Sequence, residues 1–353
     1  MPDAGPVVLT TVRGPGDEYW ERRTEYVEPP TRSRTFSWVA STAWRARGHG
    51  AVVLRGTTGS ADLYRDLLLA AAIRLLAPRT AVVVSDATLD PGSRALSARS
   101  RALGALAPAL ARGLVRLADS PRVTWCVLSR AEVATFARTW GVAPDRVAFT
   151  PFKHTLFRGE ADREPSTGDY LFSGGNSLRD HAMLVEAARG LGTDVVVASR
   201  WRPDGELPAG IEVRETSHEE FVALMAGSRA VVLCLRPSVR STGQQTYLNA
   251  MALGKAVVVT DVAGVRDHIE DGVTGVVVEP SAAAVRSALR DVTDPARRGF
   301  YEAMGRRARE RVLSTLTDRQ YHVRLLALAD TPARDRAAGR PRGNRHRPVP
   351  SSR

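Results

Sequence analysis

The chain has 353 residues, 43% hydrophobic and 25% charged, so it is long enough for two globular domains and needs no disulfide framework. Its formal net charge is +12, and residues 331–353, with seven Arg and one Asp, hold half of that excess. Cys126 and Cys234 lie in apolar stretches, which favours buried thiols in a reducing compartment. We therefore expect a cytoplasmic protein with neither a secretion signal nor a membrane span.

Short apolar runs rich in β-branched residues alternate with helical patterns along most of the chain, which predicts an α/β fold with parallel sheets. A weaker strand candidate, Val7–Val12, precedes them, so the first unit begins atypically. The predicted strands are Ala51–Leu54, Ala81–Val84, Val123–Leu128, Tyr170–Ser173, Asp194–Ala198, Ala230–Leu235 and Ala256–Val259.

A polar, Pro-bearing segment at 150–166 predicts a domain boundary, with an N-terminal domain at 1–160 and a C-terminal domain at 161–330. The last helical patterns, up to Ala329, either close the second domain or cross back to the first. Residues 331–353 are rich in Arg, Pro and Gly, which predicts a disordered basic tail. The tail is interpreted either as a solubilising end or as a tether to anionic lipid or nucleic acid; we expect no nucleic-acid partner.

A leucine stripe with helical spacing lies between these strands and is flanked by arginines. It either packs on the sheet or lies on an anionic membrane, which would make the protein peripheral at that surface. The stripe comprises Leu103, Leu106, Leu110, Leu114 and Leu117.

The stretch RSTGQQTYLNAMALGKAVVVTD (240–261) predicts a capped helix, a glycine stop at Gly254 and a buried strand. Ser241 or Thr242 pairs with Gln244 or Gln245 as a capping box. In doubly wound sheets, ligands bind outside the carboxyl ends of the strands, so the amides of Gly243 and Gln244 would suit a phosphate. The alternative interpretation is a structural turn.

The stretch NAMALGKAVVVTDVAGVRDHIEDGVTGVVVEP (249–280) resembles the nucleotide-binding segment of the retaining glycosyltransferases of family 4, also called group 1. Segments 127–151 and 172–187, with DPARRGFYEAMGRRARERVLSTLT further on, extend the resemblance. It implies the GT-B fold, in which two Rossmann-like domains with parallel sheets face each other across a cleft. It also implies a hexosyltransferase that takes a nucleotide-sugar as co-substrate, needs no metal or other cofactor and acts on an unknown acceptor.

The resemblance assigns the diphosphate to Arg179, with Gly174 and Gly175 in the preceding turn, and to the helix start at Thr242–Gln245. The alternative for Arg179 is a surface ion pair with Asp180 or Glu186. The family has two glutamates separated by seven residues, one addressing the transferred sugar and the other the nucleotide ribose, and this chain has Ser241 and Asn249 at those positions. Both residues can bind hydroxyl groups, but neither carries the negative charge with which a glutamate would help to stabilise a developing positive charge.

The family also commonly has a histidine after a strand of the N-terminal domain, where this chain offers Ser85 and Asp86. Asp86 is the candidate catalytic residue, contacting the acceptor or removing a proton from its hydroxyl; the alternative is an Asp that caps a turn. His154 either lines the cleft or satisfies a linker hydrogen bond. These departures leave a second hypothesis, an inactive homologue that binds a sugar nucleotide or acts as a scaffold.

Overall fold

The computed structural model describes residues 7–56, 64–87, 89, 101–157, 159–163 and 168–331. Within them lie two six-stranded sheets with helices between the strands, which confirms the predicted α/β class. Both cysteines are buried and free. The predicted tail lies, apart from Thr331, outside the described residues.

The first sheet has the strand order β2-β1-β3-β4-β5-β6, and its neighbours from β2 to β5 pair in parallel. Three of its inner strands, β3, β4 and β5, are mostly apolar and almost wholly buried, as expected where a parallel sheet is covered on both faces. The strands are β1 Val8–Thr10, β2 Thr24–Tyr26, β3 Ala51–Arg55, β4 Ala81–Ser85, β5 Val123–Val127 and β6 Val147–Phe149.

Five described helices occur in this part of the chain, and residues 130–135 of the fifth group with the second unit described below. In α4, Ala111, Val115 and Ala118 are buried, whereas Leu110 is 60% exposed and Leu117 is 46% exposed. The interpretation that the leucine stripe packs on the sheet is therefore wrong for these two residues, because the small side chains face inward instead. The helices are α1 Glu18–Arg23, α2 Thr35–Arg45, α3 Arg65–Leu76, α4 Arg101–Ala118 and α5 Arg130–Trp140.

The second sheet has the order β12-β11-β10-β7-β8-β9, which is the Rossmann strand order. All of its paired neighbours run parallel. The strands are β7 Leu171–Gly174, β8 Val195–Ala198, β9 Ile211–Arg214, β10 Ala230–Leu233, β11 Ala256–Thr260 and β12 Val276–Val278; the helices are α6 His181–Ala188, α7 His218–Gly227, α8 Gln244–Ala252, α9 Ala282–Thr293, α10 Arg298–Thr315 and α11 Asp318–Asp330.

Backbone contacts divide the chain into two compact units. The first comprises Met1–Val127, Phe136–Ala148 and His322–Arg353; the second comprises Leu128–Thr135 and Phe149–Tyr321. Of the two alternatives for the last helix, most of α11 groups with the first unit. There His322 stacks on Trp20, with ring centroids 4.4 Å apart, and its Nδ1 lies 2.7 Å from Asp17 Oδ2.

Candidate functional site

The turn that follows β7 packs tightly around two glycines. A Cβ at Gly174 would lie 2.4 Å from the Phe221 ring. Gly175 has φ +99°, and a Cβ there would lie 2.8 Å from Arg179 Nη2. The two positions therefore need glycine because other side chains occupy the space beside them.

Arg179 is held by uncharged groups. Its Nε donates to the carbonyl oxygen of Gly174 (2.9 Å), Nη1 to that of Ser177 (2.8 Å) and Nη2 to Thr246 Oγ1 (3.0 Å). Burial lowers the pKa of the guanidinium to about 10, so it remains charged at neutral pH.

The alternative ion pair of Arg179 with Asp180 or Glu186 is wrong within the described residues, because Arg179 forms no salt bridge there. Asp180 instead caps α6 by accepting from the backbone amide of Met183, and it pairs with Arg236. A half-buried cation thus lies at the carboxyl end of β7, and no counter-charge from the described residues pairs with it.

The first turn of helix α8 and the residue Thr242 before it contact the segment that follows β7 and contains Arg179. Thr246, in that turn of the helix, accepts from Arg179, and Thr242 Oγ1 donates to the carbonyl oxygen of Ser177 (3.3 Å). The predicted capping box is wrong: the N-cap residue is Gly243, with φ 87°, and no side chain caps the helix. Glycine takes the cap position because its backbone is left-handed there. Gly254 ends the helix with φ 73°, as predicted.

The loop before α8 is more covered by protein than the sequence suggested. Ser241, Thr242 and Gln244 are buried, whereas Gln245 is exposed and Gly243 is partly exposed. Among the described residues, the backbone amides of Gly243, Gln244 and Gln245 donate no hydrogen bond to protein. Three donors at the positive end of a helix are thus left for another partner.

Asn249 is buried in the middle of α8 and contacts the linker rather than an open site. Its Oδ1 accepts from the backbone amide of Thr155 (2.7 Å), and its Nδ2 donates to Thr155 Oγ1 (3.1 Å). The structure therefore gives Asn249 a structural hydrogen bond and does not bring it together with Arg179. The same linker holds His154, whose backbone amide donates to Leu316 O (3.0 Å). Its ring is buried, and burial lowers its pKa.

A carboxylate that sequence reasoning missed lies beside Ser241. Glu132, in the first turn of α5, is 6% exposed and accepts from the backbone amides of Ser241 and Leu128, the latter at 2.9 Å. The available signal was the Ser-x-x-Glu spacing from Ser129, since Ser129 Oγ caps α5 by accepting from the amide of Glu132 (3.2 Å). That signal predicts a capped helix but not the contact with residue 241.

Asp86 belongs to the first unit and follows β4 directly. Its φ of 49° is left-handed, a conformation that Asp tolerates better than most residues. Its catalytic role stays a prediction. Among the described residues, no group of three or more His, Cys, Asp or Glu could hold a metal ion, and no helix is long and apolar enough to cross a membrane.

Comparisons with known proteins add to this geometry. Residues 183–294 match the family model described as "Glycosyl transferases group 1". The chain is similar in structure to a glycosyltransferase from Rickettsia africae ESF-5, with 11% identity over 92% of this chain and 89% of that one and a TM-score of 0.59. The fold is GT-B. The matched residues include α8.

Two further solved structures share this GT-B fold. One is Alr3699/HepE from Anabaena, in complex with UDP-glucose, with 13% identity over 91% of this chain and 90% of that one and a TM-score of 0.58. The other is WaaG, a glycosyltransferase involved in lipopolysaccharide biosynthesis, with 14% identity over 92% and 98% and a TM-score of 0.51. Identities this low carry the fold alone. A comparison with curated protein sequences gives no match.

Proposed function

We propose that the protein is a retaining hexosyltransferase that moves a sugar from a nucleotide-sugar donor to an acceptor hydroxyl. The observation that carries the proposal is the charge of Arg179, which is half-buried, has no described counter-charge and contacts the first turn of α8. The unpaired amides of Gly243, Gln244 and Gln245 lie on the same turn. A diphosphate supplies both missing partners, because it brings negative charge to the guanidinium and acceptor oxygens to the amides.

In this proposal the diphosphate is the leaving group, and its growing negative charge is stabilised by Arg179 and the positive end of α8 rather than by a metal. The acceptor lies against the first unit, where Asp86 takes the proton from its hydroxyl. Retention of configuration is proposed from the family resemblance. Asn249 is left out of the nucleoside contacts because Thr155 uses both of its polar groups.

A panel of UDP-, GDP- and dTDP-sugars tests the proposal by nucleotide release, with binding followed by calorimetry. UDP-glucose is the first member because Alr3699/HepE was solved with it. We expect one nucleotide class to bind and to be released as nucleoside diphosphate when the acceptor is added. Absence of both binding and release across the panel would contradict the proposal.

A second candidate function is an inactive homologue that binds the donor as a scaffold. It is favoured by the residues at the two usual glutamate positions, since Ser241 is buried and Asn249 is bonded to the linker. Binding of a nucleotide-sugar without product from the native acceptor would support it. Donor hydrolysis that appears only in a Ser241→Glu, Asn249→Glu variant would support it further.

We also propose that the protein works in the cytoplasm as a peripheral protein on an anionic membrane. Leu110 and Leu117 are exposed on α4, beside the exposed residues Arg112 and Arg116. Apolar side chains flanked by cations suit the interface of an anionic bilayer.

A further inference from the structure

The loop before α8 is bonded to a carboxylate from a distant part of the chain. Glu132 and Ser241 are 109 residues apart in sequence, and both belong to the second unit. One oxygen of Glu132 accepts from the Ser241 amide and the other from the Leu128 amide. A carboxylate has about four acceptor sites, so these two bonds leave capacity on both oxygens.

Two neutral polar groups beside this loop have no hydrogen-bond partner in the part of the chain that the structure describes. They are Ser241 Oγ and Gln244 Nε2, in residues that are 4% and 5% exposed. Both lie near Gly264, where a Cβ would be 2.6 Å from Ser241 Cβ and 3.5 Å from Gln244 Nε2. Buried polar groups are almost always paired, so two orphans at one place point to a partner that the protein does not supply.

The chemistry of the three groups indicates what that partner is. The carboxylate of Glu132 only accepts hydrogen bonds, the amide nitrogen of Gln244 only donates, and the hydroxyl of Ser241 does both. A phosphate does not fit, because it would be repelled by the carboxylate. A sugar hydroxyl fits, because it donates one hydrogen bond and accepts others.

We propose that Glu132 is a further specificity-determining residue, which binds a hydroxyl group of the transferred sugar beside Ser241 and Gln244, two residues that the resemblance already assigns to the donor. Glu132 then supplies, from another segment, the acidic group that the chain lacks at position 241. The inference rests on the proposed function and deepens it, since it requires a donor whose sugar carries free hydroxyls at the contacted positions. The diphosphate lies with Arg179, which bonds Thr246 on the same helix start.

Calorimetry with UDP and UDP-glucose, or with the nucleotide pair that the panel selects, tests this role of Glu132 in the full chain. We expect the wild-type protein to bind the nucleotide-sugar about tenfold more tightly than the bare nucleotide, the scale of one charged hydrogen bond. Glu132→Gln and Gln244→Met should lose that preference and keep their affinity for the bare nucleotide within about twofold. Arg179→Ala, by contrast, should weaken both ligands.

Stability measurements separate this role from a structural one. Gln244→Met removes a buried unpaired amide at similar volume, so its thermal midpoint should rise while its preference for the sugar disappears. Ser241→Ala provides the same test with a smaller change if Glu132→Gln does not fold. An equal loss of affinity for both ligands in these variants, or an unchanged preference for the sugar, would overturn this role of Glu132. If the wild type binds no nucleotide at all, the proposed function itself fails.

Discussion

Arg179 shows how a single residue combines a structural and a functional interpretation. Its three hydrogen bonds all go to neutral oxygens, and they fix the fork of the guanidinium beside α8. Arginine suits this position better than lysine, because its planar fork makes several directed bonds while the charge stays available to a phosphate. We therefore expect the charge to stabilise the complex with an anionic ligand more than it stabilises the free protein.

Replacing Arg179 by Ala should weaken binding of the nucleoside diphosphate by about 1.5–3 kcal/mol, the range for hydrogen bonds to charged groups. Calorimetry measures the change. Arg202→Ala is the matched control, because Arg202 is exposed and pairs with Glu215 at 3.2 Å. Equal affinity in both variants would remove the phosphate role.

Two buried histidines predict how stability depends on pH. Burial lowers the pKa of both His154 and His181, so folding favours their neutral forms. This stability is fully present above the unfolded pKa of about 6.5 and is lost as the pH falls through the lower folded values. Urea unfolding should therefore give a smaller free energy at pH 5 than at pH 7. A His154→Gln, His181→Gln variant should lose less between these pH values; an unchanged slope would contradict this.

At the scale of elements, the strands that sequence reasoning found and missed differ physically. The seven strands predicted as apolar runs are all present, and the weak candidate at Val7–Val12 forms β1. The four missed strands, β2, β6, β9 and β12, are the four edges of the two sheets. Edge strands have one neighbour and stay partly exposed, so β2 and β9 lack the continuous apolar pattern.

The candidate site also contains some features that the sequence predicts and others that it does not. Helix α8, its glycine stop and the turn that holds Arg179 follow from local patterns, since each depends on neighbours in sequence. The cap at Gly243 and the carboxylate of Glu132 do not, because one depends on a left-handed backbone and the other on packing between segments 109 residues apart.

Contact between α8 and α10 depends on a glycine. A Cβ at Gly305 would lie 2.0 Å from the carbonyl oxygen of Gly254, the residue that ends α8. We expect Gly305→Ala to destabilise the protein by roughly 1–3 kcal/mol, because backbone must move. Gly299→Ala in the same helix meets no atom within 4 Å and should raise stability by at most about 1 kcal/mol. Urea unfolding compares the two, and equal effects would refute the packing argument.

The exposed face of α4 gives a prediction about membranes. A Leu110→Ser, Leu117→Ser variant should bind vesicles containing phosphatidylglycerol at least about tenfold more weakly, because two apolar side chains no longer enter the interface. Co-sedimentation measures the binding. Val323→Ser, an exposed residue of α11, is the control. Unchanged binding in the leucine variant would exclude α4 as the contact.

At the scale of the whole molecule, the two units differ in how many segments of the chain they comprise: the first has three and the second has two. The second unit is nearly continuous, at Phe149–Tyr321, whereas the first is completed by residues that follow it. Five of the six tryptophans, all except Trp201, belong to the first unit. Tryptophan fluorescence therefore reports mainly on that unit.

His322→Ala should lower the fluorescence midpoint of urea unfolding, with a loss of roughly 2–3 kcal/mol. The variant removes a fully buried ring that stacks on Trp20 and bonds Asp17, the cap of α1. His218→Ala in the second unit is the control, since its side chain is 46% exposed. Equal midpoint changes in the two variants would mean that His322 does not stabilise the first unit.

Most of α11 belongs to the first unit although it follows the second unit in sequence, so the first unit cannot be completed until the second has been synthesised. The ribosome makes His322 only after the whole stretch that builds the second sheet, so the nascent first unit must wait for its closing helix. Until then Trp20 lacks the ring that stacks on it, and we expect this unfinished half to be the part of the newborn chain that most needs a chaperone.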